Sequence, residues 1–153
     1  MPPKGLPLEK TTMNHAQIVQ AFFDAYTAHD VQAMLALCSP TATFRYVPLG
    51  ESGIGSVHET AARLWQLYMD VFPDFSTKVM SMMEGKDGSI VCETLMSGTQ
   101  VKDVGNIKNK SRKLATPHLF VFTFDAKDSI EKITAFWDND AIYAQLGHTE
   151  THT

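Results

Sequence analysis

Cysteine is scarce in this chain: Cys38 and Cys92 are the only two among 153 residues, and they match no metal or redox spacing. The economical reading is two buried, reduced thiols in a cytoplasmic protein. Long apolar runs are missing too, none reaching the roughly 18 residues that a membrane span needs. The opening MPPKGLPLEKTT holds three prolines and lacks the apolar centre of a secretory signal. Basic charge is not in excess. Thirteen Lys and Arg against 17 Asp and Glu leave a net charge of −4, which removes any global electrostatic pull toward nucleic acid. No pair of histidines has ligand spacing with a nearby carboxylate, so no metal site is expected. The glycine-rich stretch PLGESGIGS lacks the Walker lysine and the dinucleotide spacing, so it is no phosphate loop.

What is present is ordinary globular material, 44% apolar and 20% charged, in a length that suits one domain. Residues 1–12 and 148–153 read as tails, and 13–147 as the single domain. Asn14 with Gln17 three residues later forms a helix start. Ile18, Val19, Phe22, Phe23 and Tyr26 then follow at helical spacing. Asp30 caps a short second helix that Pro40 should stop, and 41–47 reads as a strand. Ser56 and Glu59 suggest a capping box for a third helix, with Leu64, Trp65, Tyr68 and Phe72 along its apolar stripe.

After Pro73 the period changes from 3.6 to 2, and 75–84, 90–101, 114–124 and 130–137 read as four strands. Helices first and antiparallel strands after is an α+β pattern, with helices packed on one face of a curved sheet. A last helix, about 140–146, ends at Gly147. Both parities of 116–124 are largely apolar, so the second sheet face needs a cover as well. A second copy of the chain is the simplest one, which predicts a homodimer through the sheet.

The tetrapeptide WDND at 137–140 carries the chemical question. A turn centred near Lys127 sets Phe124 opposite Ile130, and by the same register His118 opposite Phe136. Asp138 then shares a sheet face with His118, at the roughly 7–8 Å of diagonal neighbours. In an apolar surround lined by Phe120, Phe122 and Phe136, such a pair has pKa values moved toward working range. A one-residue slip would put the two groups on opposite faces. Either aspartate also suits a helix N-cap. Since a helix has one N-cap, assigning it to Asp140 leaves Asp138 for the pocket. His118 has a plain alternative as a satisfied core histidine. Lys102, Lys108, Lys110, Arg112 and Lys113 gather in one connection, read either as a solvated hairpin or as an anion-attracting rim.

The phrases FFDAYTAHDVQAMLAL, LYMDVFPDFSTKV, SGTQ and FWDNDAIYAQLG, in this order over roughly 14–147, resemble the SnoaL-like polyketide cyclase family within the nuclear-transport-factor-2-like superfamily. The resemblance implies a cone-shaped α+β fold, its curved antiparallel sheet wrapped around an apolar pocket and usually dimeric. It also implies cofactor-free aldol ring closure on a small apolar molecule, with an aspartate as acid/base. The matching position before the terminal QLG is Asp138, and His118 is the nearest candidate for an assisting histidine. In that scheme ionised Asp138 abstracts a proton next to a carbonyl, while His118, Tyr46 or Tyr68 steadies the oxyanion. Phe22, Phe44, Tyr46, Trp65, Tyr68, Phe120 and Phe136 are the expected pocket lining. Trp137 would help to shape the site too, but its parity is opposite to that of Asp138, so the far face or the dimer contact stays open for it and it is left out of the site. The superfamily also holds isomerases, hydrolases and pure binding modules, so a non-catalytic ligand-binding or association module stays open as the alternative.

Overall fold

Asn14 opens the first helix, α1 (His15–Thr27), through a reciprocal pair of bonds. The Gln17 N–H donates to Asn14 Oδ1 at 2.8 Å, and the Asn14 N–H donates to Gln17 Oε1 at 2.9 Å. These belong to a computed structural model that describes residues 13–149. The tail expected at 1–12, and residues 150–153 of the one expected at 148–153, lie outside the described residues. Ile18, Val19, Phe22, Phe23 and Tyr26 are all buried, as their spacing requires.

Asp30 caps α2 (Val31–Ala36), its Oδ1 accepting the Ala33 N–H at 3.0 Å. Pro40 does not end this helix. By Cys38 the chain is already in strand β1 (Cys38–Tyr46), drawn there by the Leu37 carbonyl, which accepts the Ile130 N–H at 2.9 Å. A 3-10 turn over Val47–Gly53 leads into the short strand β2 (Ile54–Ser56), which pairs back on β1. The expected Ser56 capping box is not formed. A π turn, Val57–Ala61, precedes α3 (Ala62–Val71) instead, and its end residues Val57 and Ala61 are both fully buried. Packing overrides the local cap preference there.

Strands β3 (Ser76–Glu84), β4 (Ile90–Thr99), β5 (Lys113–Phe124) and β6 (Ile130–Phe136) complete a sheet of order β2-β1-β6-β5-β4-β3. The sheet is mixed rather than antiparallel throughout, because β1 runs parallel to β6. Hairpin turns force antiparallel pairing on β3 to β6, but no hairpin joins β1 to β6. Irregularities interrupt the β1–β6, β3–β4 and β5–β6 ladders, and such bulges bend strands and curve the sheet. The last helix, α4, is Asn139–Gln145. Among the described residues no helix is long and apolar enough to cross a membrane.

The concave face of the sheet carries the core. Along β5, Leu114, Thr116, Phe120 and Phe122 are buried, whereas Ala115, Pro117 and Leu119 are exposed. Phe22 of α1 meets Trp65 of α3 and Phe122 of β5 edge-on, at ring separations of 5.5 and 5.3 Å. Such aromatic pairs add about 0.5–1.5 kcal/mol beyond the area they bury. Gly98 matters for the same packing: a Cβ there would stand 2.8 Å from the Cβ of Phe72. Only a bare backbone lets Phe72 lie that close to the sheet.

Candidate functional site

The β5–β6 hairpin decides which groups face the interior. Asp125 Oδ1 accepts the N–H groups of Lys127 and Ser129, both at 2.9 Å, and the tight turn sets Phe124 opposite Ile130. One step further the ladder slips. Thr123 pairs with Lys132, leaving Glu131 as an extra residue, and Glu131 and Lys132 both point outward. From there on the register is displaced by one, so Leu119 rather than His118 stands opposite Phe136. His118 therefore falls beside Trp137, and Asp138 belongs to the opposite face.

This corrects the expected division of labour in WDND. Asp138, not Asp140, is the N-cap of α4, its Oδ1 accepting the Ala141 N–H at 3.1 Å, and Asp140 lies in the first turn. Asp138 borders a shallow groove toward the outer sheet face together with Glu93, Leu119 and Phe136, and His118 and Trp137 reach this groove as well as the interior. Phe136, expected in the pocket, is 43% exposed on that outer face.

The interior holds a cavity of about 270 Å³ between the concave face, α3, α4 and the connection before β5. Tyr46, Tyr68, Phe120 and His118 line it, joined by Tyr26, Trp137 and Asn139. Gly105 and Asn106, which are exposed lining residues, mark its rim. Phe22, Phe44 and Trp65, expected in the lining, lie one layer behind, at most 1% exposed in the core. Among the described residues no Asp, Glu, Lys or Arg contributes to the lining. The volume exceeds the about 150 Å³ that accommodates benzene and approaches the about 300 Å³ where ordinary ligand pockets begin.

Two polar groups in this cavity have fixed roles. The Trp65 indole N–H donates to Tyr46 Oη at 2.7 Å. An indole only donates, so the Tyr46 hydroxyl receives there and keeps its own proton for another acceptor. Burial raises Tyr46 well above the usual phenol range and pushes Tyr68 up to about 12, so both remain proton donors near neutrality. His118 has the complementary role. Its Nδ1 lies 3.3 Å from the Thr116 carbonyl and 3.5 Å from the Thr116 hydroxyl; a carbonyl can only accept, so the shorter contact is satisfied by the tautomer with its proton on Nδ1 and a lone pair on Nε2. Burial lowers His118 to about 4 against the opposing pull of the Thr116 and Pro117 carbonyls, so the imidazole is neutral near pH 7.

Around the rim two cations of the basic connection have structural partners. Lys108 pairs with Asp103 at 3.6 Å, and Lys110 Nζ donates to the Gly147 carbonyl at 2.6 Å, closing the end of α4. Gln100 Nε2 gathers the carbonyls of Lys102 and Ile107 at 3.0 and 3.1 Å, fixing the neck of the loop. Tyr143 Oη donates to Asn106 Oδ1 at 2.9 Å across the rim. Among the described residues no group of three or more His, Cys, Asp or Glu is placed to hold a metal ion.

A family model, the SnoaL-like domain, matches residues 19–136. The chain belongs to the SnoaL-like domain family. Its fold is similar to that of IdmH from Streptomyces antibioticus, described as a candidate polyketide cyclase, at TM-score 0.75 and 18% identity over 88% of this chain and 99% of that one. A candidate SnoaL-like polyketide cyclase from Jannaschia sp. CCS1 superposes at TM-score 0.76 and 14% identity, covering 97% and 100%. A protein from Catenulispora acidiphila with a ketosteroid isomerase-like fold gives 0.71 and 15%, covering 86% and 93%. At such identities the likeness is one of fold. Comparison with curated proteins gives no match.

In this SnoaL-like domain sequence reasoning missed Tyr26, Asn139 and Tyr143 as cavity residues and left the facing of Trp137 open. For Trp137 a signal existed: it alternates with Asp138, so the slip that removes one from the cavity admits the other. Asn139, the third residue of WDND, carried no such signal, because helix initiation turns it back toward the cavity.

Proposed function

We propose that this domain is a cofactor-independent acid/base enzyme of cyclase or isomerase type, acting on a small, apolar, cyclic carbonyl compound. The carrying observation is the pairing, in one uncharged cavity, of a bare imidazole nitrogen with a hydroxyl obliged to donate. A ligand carbonyl accepts the Tyr46 O–H, and His118 Nε2 takes the proton from the adjacent carbon. The developing enolate oxygen gains from Tyr46, in a site where water does not compete. The imidazolium so formed is strongly acidic and returns the proton to carbon or to oxygen. Asp138 takes no direct part in this scheme, because it is not among the residues that line the cavity and its Oδ1 serves the α4 backbone.

Hydrogen exchange tests this even while the natural substrate is unidentified. A panel of cyclic ketones is incubated in heavy water, and deuterium at the carbon next to the carbonyl is read by mass. The wild type should accelerate exchange for some members. His118→Ala should lose about 10²–10⁴-fold, Tyr46→Phe about 10²-fold or more, and Asp138→Asn should match the wild type. Full activity in His118→Ala would sink the reading. The low basicity of His118 and the absence of a lining carboxylate favour a second reading, a non-catalytic ligand-binding module, whose mark is saturable binding with no exchange.

We also propose that the domain works as a homodimer whose second copy covers the outer sheet face. Leu119 and Phe136, directly opposite each other there, are 40% and 43% exposed, a paired apolar surface of the kind that marks an interface.

A further inference from the structure

We infer that Asn139 is a positioning residue, holding the Trp137 indole against His118 and so fixing the imidazole that the proposed chemistry uses. The consequence for catalysis rests on the reading of His118 given above. The brace itself does not, and it can be measured with no substrate present.

Trp137 follows the last residue of β6, where the ladder no longer restrains the chain. Something else must set its ring. The indole N–H donates to Asn139 Oδ1 at 2.7 Å, and Asn139 Nδ2 donates in turn to the Pro48 carbonyl at 2.9 Å. An indole cannot accept and a carbonyl cannot donate, so the amide has one orientation that satisfies both partners. Flipping it would lose both bonds. Asn139 thus ties the junction of β6 and α4 to the turn after β1. Its place at the start of a helix does not account for this, because Asp138 already provides the N-cap.

The result is a ring held where it shields the histidine. Trp137 stacks on His118 at 5.0 Å and 25°. Phe120 lies parallel to the same imidazole at 6.1 Å and 16°. Tyr46 closes edge-on against Trp137 at 5.6 Å. The titratable groups that share a pocket wall with His118 are Tyr26, Tyr46, Tyr68 and Tyr143 in the cavity, and Glu93 and Asp138 in the outer groove. Releasing the indole would open the imidazole to water and to those two carboxylates, and both changes favour the charged ring.

The experiment is an NMR pH titration of the histidine side chains in the full chain, with His15 as the internal control of folding. Wild type is compared with Asn139→Ala, Trp137→Phe and the double variant. Trp137→Phe keeps a ring but removes the N–H. In each single variant the His118 midpoint should rise by about one pH unit, and the double variant should rise no further than either alone. An unmoved midpoint in Asn139→Ala with His15 intact overturns the inference, as does an additive double variant. Should Asn139→Ala lose the His15 signature, Trp137→Phe decides: an unmoved midpoint there overturns it equally. A flat titration beside His118-dependent exchange would remove the brace and keep the catalytic reading. The reverse pattern would keep the brace and remove the catalysis.

Discussion

Leu119 on β5 stands opposite Phe136 on β6, one residue out of step with the pairing of Phe124 and Ile130 at the turn. The single extra residue between those pairs, Glu131, exchanges the occupants of two faces. It brings Trp137 in beside His118 and sends Asp138 out to cap α4. The chemistry assigned to the cavity follows from that exchange.

The cap should show itself in stability. Asp138→Ala removes the acceptor of the Ala141 N–H and should cost about 1 kcal/mol in urea denaturation, within the 0.5–2 kcal/mol usual for lost N-caps. Asp140→Ala, in the first turn of α4, should stay within about 0.5 kcal/mol. The opposite order would return the cap to Asp140.

Two histidines should give stability a maximum near neutral pH, from opposite sides. His118 is lowered to about 4 by burial, so between pH 6.5 and 4 the unfolded chain binds the proton first and stability falls as pH falls. Each pH unit in that window is on the order of 1.4 kcal/mol. His15 behaves in the reverse sense. Burial lowers it, but the hydrogen bond to Asp128, the Gly88 carbonyl and the nearby charges of Asp128 and Glu84 outweigh this and leave it raised. Its Nδ1 and Nε2 meet Gly88 O at 2.6 Å and Asp128 Oδ1 at 2.8 Å, an arrangement that only the doubly protonated ring satisfies. That contribution is full below pH 6.5 and is lost as pH rises through the folded value. Denaturation midpoints across pH for His118→Gln and His15→Gln should flatten the acid and alkaline limbs respectively. A mutant that flattens the wrong limb would contradict the assignment.

These assignments show how far a sequence carries such an argument. The helices and strands follow periodicity and caps, as Asn14 with Gln17 and the spacing of Ile18, Phe22 and Tyr26 illustrate. His118 was legible because a lone histidine on an apolar strand parity has few places to go. Asp138 and Trp137 were not, because their facing depends on register. The turn residues report the register at Phe124 and Ile130, but nothing in IEKIT announces that Glu131 is skipped. The parallel pairing of β1 with β6 was hidden for a related reason, being a contact between strands that no turn connects.

Tyr46→Phe should be more costly than the loss of one hydroxyl suggests. The Trp65 N–H that donates to it is fully buried, and the variant leaves that donor without its acceptor. A buried unsatisfied group costs about 1–3 kcal/mol, readable as a lower urea midpoint at unchanged slope. A loss under about 0.5 kcal/mol would mean that the indole finds another acceptor, and Tyr46 would then not be an obligate donor.

The outer face offers a test of assembly that leaves the cavity alone. Leu119 has Phe136 opposite on one side and Glu93 on the other. Replacing Leu119 by Lys and Phe136 by Glu therefore removes the apolar pair, while opposite charges directly across the strands still support the sheet. If a second copy covers this face, the wild type sediments as a dimer and the double variant as a monomer, with the His15 resonance unchanged. Desolvated charges at a former interface core are expensive, so the shift should be complete at micromolar concentration. A wild type that sediments as a monomer would remove the dimer, and a variant that still dimerises would move the interface elsewhere.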